Sequence, residues 1–204
     1  MTVPRNIDAR MAEVVGDGPR LAPRPVEGLS ADERDLIERM CALTAYPQDA
    51  PRPPYYLTLS RRPEFFVAHM DMGVSAMRTT VLPVREREML ILRTAWLCGA
   101  PYSFGEHVLM AKRAGMTSQE IERITCGSSA EGWSPREAAL LGAVEELHAD
   151  AMISDATWTA LASHLGEGEL IEVLMIVGHY HATAFVQNSL RIGLAEYNPG
   201  LSAR

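Results

Sequence analysis

Apolar positions along this chain recur at helical intervals, and no stretch of useful length alternates as a strand would. Ser30 with Glu33 makes a capping box, which predicts a helix through about Thr44 with Leu36, Ile37, Met40 and Leu43 as its buried stripe. The prolines between 47 and 54 read as a loop, and 55–59 as one short turn. Pro63 opens a second helix with Phe65, Phe66, His69 and Met70 on or near one face, loosened at Gly73. Residues 83–115 then read as two helices joined by a tight corner, Gly99-Ala100-Pro101-Tyr102. In the first, Met89 to Leu92 are consecutive apolar residues, so it is covered on most sides rather than along one stripe. Pro83 suits its first turn, Glu86 and Glu88 sit toward the positive end of its dipole, and Gly115 caps the second helix.

Two further capping boxes follow, Thr117 with Glu120 and Ser134 with Glu137, the latter with Pro135 at the first helical position. They predict a short helix to about Cys126, a small-residue loop at 127–132 and a helix to about Ala149. Ser154 caps the next helix, ending at Gly166, and 169–194 is a long final one. Residues 1–28 carry several prolines and glycines without a period and read as an irregular arm, ordered only by packing. The chain therefore divides into an arm at 1–28, one all-α domain at 29–194 and a polar tail at 195–204.

Composition narrows the function. A net charge of −7 and a pI near 5.4 argue against a nucleic-acid partner, which would call for a basic stripe. Cys41, Cys98 and Cys126 are odd in number and widely spaced, matching neither a disulfide framework nor a zinc motif, and a reducing cytoplasm is the simplest setting. The first residues include Arg5, Asp8 and Arg10 with no apolar core of a secretion signal. The apolar run at 170–194 is interrupted by Glu172, His179, His181, Gln187 and Asn188, which suits a buried helix rather than a membrane span. No Gly-rich phosphate loop, Cys-x-x-Cys or metal-ligand spacing stands out, so no cofactor and no metal is expected.

The candidate chemistry gathers around the corner. Ala100, Ser103 and His107 share a helical face, so Ser103 and His107 could touch, with the histidine as acid or base. The plainer reading of Ser103 is a helix cap completed by Glu106. Glu88, in Arg85-Glu86-Arg87-Glu88, is either a surface ion-pair partner or a carboxylate at the edge of the core that shares a proton with His107. His179 and His181, two positions apart, lie roughly 200° apart around a helix axis and cannot chelate one ion together; one is expected to line a pocket while the other packs or faces a subunit neighbour. His148 and His164 fall near helix ends, where an imidazolium meets a favourable dipole.

These residues carry a resemblance. Arg85-Glu86-Arg87-Glu88 with Leu90-Ile91-Leu92-Arg93, Ala95-Trp96 and Leu97, then Tyr102, His107 and Ala114-Gly115-Met116-Thr117, resembles the carboxymuconolactone decarboxylase family, which includes the alkylhydroperoxidase D enzymes. Gly132 to Glu137, Glu146 to Asp150, Ile153 to Trp158 and Val177-Gly178-His179-Tyr180 agree with it. The resemblance implies an all-helical alkylhydroperoxidase D-like domain with a central antiparallel helix pair and a long C-terminal helix, assembling as a homo-oligomer, commonly a trimer or hexamer. Glu88 and His107 match the family's relay residues, while Ala100 and Ser103 stand where its peroxidase branch has two cysteines. Relatives without the thiols have a second acidic residue at Ser103, and here only Tyr102 of that run is kept.

The implied function is a cofactor-independent decarboxylase or related lyase acting on a small, oxygenated, anionic organic molecule. His107 would be the general acid/base, Glu88 its orienting partner, and Tyr102 and Ser103 hydrogen-bond donors, with Arg93, Phe104 and His179 contacting substrate. The alternative is a non-catalytic binding or scaffold protein of the same descent. A dithiol peroxidase is disfavoured by the missing sulfurs. The test between the first two is whether the space beside His107 is open, or filled by Phe104 and Met110.

Overall fold

The structure, a computed structural model, describes residues 6–44, 46 and 48–204; the expectations touching Arg5 and Pro47 lie outside the described residues. Ten helices carry the described fold: α1 Ile7–Val15, α2 Ala31–Leu43, α3 Pro54–Leu59, α4 Pro63–Arg78, α5 Val84–Leu97, α6 Pro101–Arg113, α7 Ser118–Cys126, α8 Pro135–Asp150, α9 Asp155–Ala162 and α10 Glu167–Leu190. Short 3₁₀ turns lie at Val26–Gly28 and Gly200–Ser202, and the described residues contain no strand. The fold is all-α. All three predicted capping boxes form, at Ser30, Thr117 and Ser134.

α5 is the hub because it has no solvent face for most of its length. Every residue from Arg87 to Ala95 is buried, and Met89 to Leu92 expose nothing. Leu90 and Ile91 pack into a cluster with Leu140, Val144, Val173 and Val177 of α8 and α10. Met89 and Leu92 point into a second, with Phe104, Val108, Ile121 and Ile124 of α6 and α7. A buried aliphatic side chain contributes about 1.5–3 kcal/mol, so these four residues weld two clusters through one helix. A third cluster, with Ile37, Met40, Tyr56, Phe66 and Met70, joins α2, α3 and α4.

The turn from α5 to α6 is a Schellman cap. Gly99 adopts φ 54°, its N–H bonds the Trp96 carbonyl at 3.0 Å, and the Ala100 N–H bonds the Ala95 carbonyl at 2.8 Å. The left-handed backbone at Gly99 lets the chain reverse at once, and Pro101 starts α6 without wasting an N–H donor. Helices α5 and α6 thus lie side by side, which brings sequence-distant residues of their first turns and middles within reach.

Several expectations are corrected. The arm is not irregular throughout: Asn6 accepts from the Ala9 N–H at 2.9 Å and opens α1, whose Arg10 donates to the Gly99 and Cys98 carbonyls. The tail is not simply polar surface, since Leu201, Ala203 and Asn198 are buried against the α6 side of the core. Phe65 is 69% exposed rather than part of the buried face of α4, and α4 runs through Gly73 unbroken. Gly73 is there for close approach: a Cβ would lie 3.1 Å from His179 Nε2. Helix α9 stops at Ala162, and Gly166 instead precedes α10, which ends at Leu190. By length and composition α10 could cross a membrane, but its Val173, Ile176, Val177, Tyr180 and Ala184 are core residues.

Candidate active site

Glu88 has no exposed surface, and a carboxylate so placed must be paired to stay ionised. Its neighbour Arg87 donates Nε and Nη2 to Oε1, at 3.1 and 2.8 Å, and holds its third nitrogen on the Met77 carbonyl at 2.9 Å. His107, from the middle of α6, donates Nδ1–H to the other oxygen, Oε2, at 2.8 Å. Burial alone would raise the Glu88 carboxyl; the interactions with His107 and Arg87 outweigh it and hold it below the usual carboxylate range. The three residues form one line, guanidinium to carboxylate to imidazole.

The line ends at a cavity. His107 engages Glu88 through Nδ1, leaving Nε2 with its lone pair for the cavity that the ring lines. This tautomer is assigned from the partner, because an ionised carboxylate only accepts. Tyr180 meets the ring edge-on, centroids 4.9 Å apart and planes at 90°, so the imidazole is held in plane as well as in direction.

The cavity holds about 350 Å³ between α3, α4, α6 and α10. Its walls are mostly Tyr55, Tyr56, Met70, Met77, Tyr102 and Met110. Ser103 faces it from one turn before His107 and donates to Gln187 Oε1 at 2.7 Å. On the other side, the His69 and His179 rings lie 4.7 Å apart, and Tyr55 Oη is 2.8 Å from His69 Nε2. Burial lowers the His69 pKa, and burial with the neighbouring His69 and His107 pushes His179 down to about 4. Both are neutral at pH 7. Burial pushes the Tyr55 and Tyr102 hydroxyls up, so they stay protonated as donors. The space is open, not filled: Met110 lines it and Phe104 does not.

Tyr102, Ser103, His107 and His179 therefore line one space, with Glu88 behind His107 and out of the cavity, although they come from α5, α6 and α10. Two expected substrate contacts do not. Arg93 turns away to bond Glu145 at 2.8 Å and the carbonyls of Ile124 and Thr125 at 3.1 and 2.8 Å, tying α5 to α7 and α8. Five residues beyond Glu88, Arg93 lies roughly 140° around the helix axis from it, which carries the side chain to another side of the core. Phe104 is wholly buried, 5.4 Å from Trp96 centroid to centroid. The capping reading of Ser103 also fails, since α6 is capped at Ala100; Glu106 instead accepts from Asn198 Nδ2 at 2.9 Å. Nor does Ser103 hydrogen-bond His107, its hydroxyl being turned to Gln187. Arg87, His69, Tyr55, Tyr180 and Gln187 were not singled out from the sequence. Arg87 alone carried a local signal, as the arginine next to Glu88.

Residues 63–146 match the profile of the carboxymuconolactone decarboxylase family, a span that runs from α4 into α8 and holds His69, Arg87, Glu88, Ser103 and His107. That segment carries the pattern of the carboxymuconolactone decarboxylase family, and the chain as a whole has the AhpD-like helical fold. Among solved structures, the same fold recurs in a cysteine-to-alanine variant of the debrominase Bmp8 in complex with 2,3,4-tribromopyrrole. There the TM-score is 0.73 at 13% identity, covering 89% of this chain and 95% of that one. A peroxidase-related protein of Silicibacter sp. TM1040 gives a TM-score of 0.72 at 16% identity, covering 98% of each chain. The alkylhydroperoxidase AhpD core of a peroxidase-related protein from Ralstonia eutropha JMP134 gives 0.70 at 18% identity, covering 86% and 93%. No curated protein sequence matches the chain. Identities this low speak for the fold alone. With Ala100 and Ser103 at the start of α6, the α5–α6 corner carries no Cys-x-x-Cys.

Proposed function

We propose that this protein is an acid/base enzyme, a cofactor-independent decarboxylase or related lyase acting on a small oxygenated organic molecule. One observation carries the reading: a buried Arg87–Glu88 pair orients His107 so that its other ring nitrogen serves an open, largely apolar cavity. With Glu88 holding Nδ1, a proton carried on Nε2 of His107 can be delivered into the cavity. In a decarboxylation the bond to the carboxylate breaks, carbon dioxide leaves, and the electron pair moves into a conjugated carbonyl of the substrate. His107 then protonates the carbanionic carbon and regains its proton from water. An apolar cavity favours this step, because the substrate's charge disperses as the carboxylate is lost. The aromatic walls suit a flat ring, and Tyr102 supplies a neutral donor for an oxygen on it. With Arg93 withdrawn, Arg78 at the rim is the guanidinium on hand for an anionic group.

The test is carbon dioxide release from a panel of carboxylated lactones and β-keto and vinylogous acids, followed by proton NMR. His107→Ala should lower turnover 10²–10⁴-fold, the range for a positioned acid/base. Glu88→Ala should cost less, and the double variant should be little worse than His107→Ala, because a relay is not additive. A His107→Ala protein at wild-type turnover would sink the reading. The second reading is a small-molecule-binding protein, favoured by the Ser103 hydroxyl being satisfied by Gln187 rather than turned to His107. Native mass spectrometry distinguishes it: a retained ligand that leaves chemically unchanged supports binding alone.

We also propose a homo-oligomer, trimer or hexamer. Ile171, Leu174, Met175 and Phe185 are exposed at helical intervals on α10, an apolar stripe of the kind that a second copy covers. A reducing cytoplasm is the setting we propose, on three widely spaced cysteines, odd in number, that form no disulfide among the described residues.

A further inference from the structure

His179 and His181 face opposite ways on α10, and the side away from the cavity gathers a second cluster. His181 Nε2 lies 3.0 Å from Nδ1 of His148, which comes from the last turn of α8, and the two rings are 5.2 Å apart. Cys98, at the end of α5, completes the group: its sulfur and one ring nitrogen of each histidine all lie within 4.8 Å of one another. Cys98 and His181 are half-buried and His148 is exposed, so the cluster can be reached from solvent. A surface depression passes between Cys98, His148 and Asn188, separate from the cavity beside His107.

We propose that Cys98 Sγ, His148 Nδ1 and His181 Nε2 form a zinc site that clamps α5, α8 and α10. Three observations support it. The first is spacing. In a tetrahedral zinc site, with Zn–N of 2.0–2.1 Å and Zn–S near 2.3 Å, ligand atoms are about 3.3–3.6 Å apart. The two nitrogens already stand at 3.0 Å, and a rotation of the Cys98 side chain closes the remainder. The second is orientation. His181 Nδ1 lies 2.9 Å from the Val177 carbonyl, to which it must donate. Its Nε2 therefore carries a lone pair directed at His148, the carbonyl-anchored arrangement in which metal-binding histidines are commonly held. The third is an orphan: Asn188 Oδ1 is the buried side-chain atom among the described residues with no hydrogen-bond partner, and Asn188 lines this depression.

The donor set selects the ion. One thiolate with two imidazoles suits zinc and excludes the hard, oxygen-seeking magnesium and calcium. Without metal, His148 donates its Nδ1–H to His181 Nε2. On binding, the Cys98 thiol releases its proton to water, and His148 moves to the tautomer protonated at Nε2, so both facing nitrogens become ligands. The fourth position is left to water. Such a clamp fixes the Cys98–Gly99–Ala100 corner, from which α6 and its Ser103 and His107 project.

The experiment uses the full chain, purified without an affinity tag, stripped with chelator and titrated with cobalt(II) and then zinc(II). One cobalt per chain is expected, with a thiolate-to-cobalt charge-transfer band and the intense d–d bands of a tetrahedral site, displaced by one zinc. Cys98→Ser should remove the charge-transfer band, and His148→Ala should weaken zinc binding at least tenfold. His148 is exposed, so that variant should fold as the parent does by circular dichroism. His179→Ala, on the cavity side, should leave binding unchanged. Absence of cobalt binding at micromolar metal would overturn the site. So would cobalt spectra without the thiolate band, or binding that survives Cys98→Ser and His148→Ala but disappears with His179→Ala, which would place the metal in the cavity.

Discussion

Glu88→Gln is the sharpest test of the buried line. The amide matches the carboxylate in shape but keeps only one acceptor oxygen, and it faces donors on both sides: Arg87 on one, His107 Nδ1–H on the other. Turning the amide nitrogen to Arg87 would set donor against donor beside a full charge. The glutamine therefore gives its oxygen to Arg87 and its N–H to His107, which must take the other tautomer, with its proton on Nε2. Arg87 is 5% exposed and loses its counter-charge. Removing one partner of a buried ion pair costs about 3–5 kcal/mol. For a chain of this size that is a fall in melting temperature of about 6–20 °C. Urea unfolding at pH 7 measures the loss, and nitrogen-15 NMR of the His107 ring reports the tautomer. The pH dependence has a definite sign. The Glu88 carboxyl ionises more readily in the folded chain than its ordinary value of 4.5, so the folded state binds fewer protons. Its contribution is complete above pH 4.5 and is lost as pH falls below that value, and the gap between wild type and variant should narrow in acid. A loss under about 1 kcal/mol with an unchanged His107 tautomer would refute the reasoning.

Hydroperoxide consumption with a dithiol donor should be absent from the wild type, because Ala100 and Ser103 occupy the sulfur positions; Ala100→Cys with Ser103→Cys should create a readily oxidised dithiol, and peroxidase activity in the parent would count against this. His179, with a pKa pushed down to about 4, takes a proton more readily when unfolded, so its contribution is full above pH 6.5 and lost between 6.5 and about 4. Its neutrality should be worth about 1 kcal/mol between pH 7 and 5 after allowance for its partial exposure, and urea midpoints of His179→Gln should show that much less acid sensitivity than wild type. Light scattering at micromolar concentration should show an oligomer, and Met175→Glu with Phe185→Glu on the exposed stripe of α10 should dissociate it while the helical circular dichroism signal stays.

What was legible in the sequence was local. Capping boxes at Ser30, Thr117 and Ser134, the proline at the start of α6 and the unbroken apolar run at Met89 to Leu92 each act within a few residues, so their consequences follow from the chain alone. The pairing of Glu88 with His107 was also within reach, because a one-step corner at Gly99 lays α6 against α5 and the family pattern names both residues. The order of residues 7–15 and 198–203 was not, since these segments hold their shape through contacts with the core rather than through their own period. Direction around a fully surrounded helix was not legible either. Arg93 and Glu88 both lie on α5, yet one meets Glu145 behind the core and the other faces His107, because a helix buried on all sides carries no polar stripe to mark its faces. The same holds for His181: its spacing from His179 excluded a shared ion, but its meeting with His148 and Cys98 depends on how α5, α8 and α10 cross, which only the packing of side chains from all three decides.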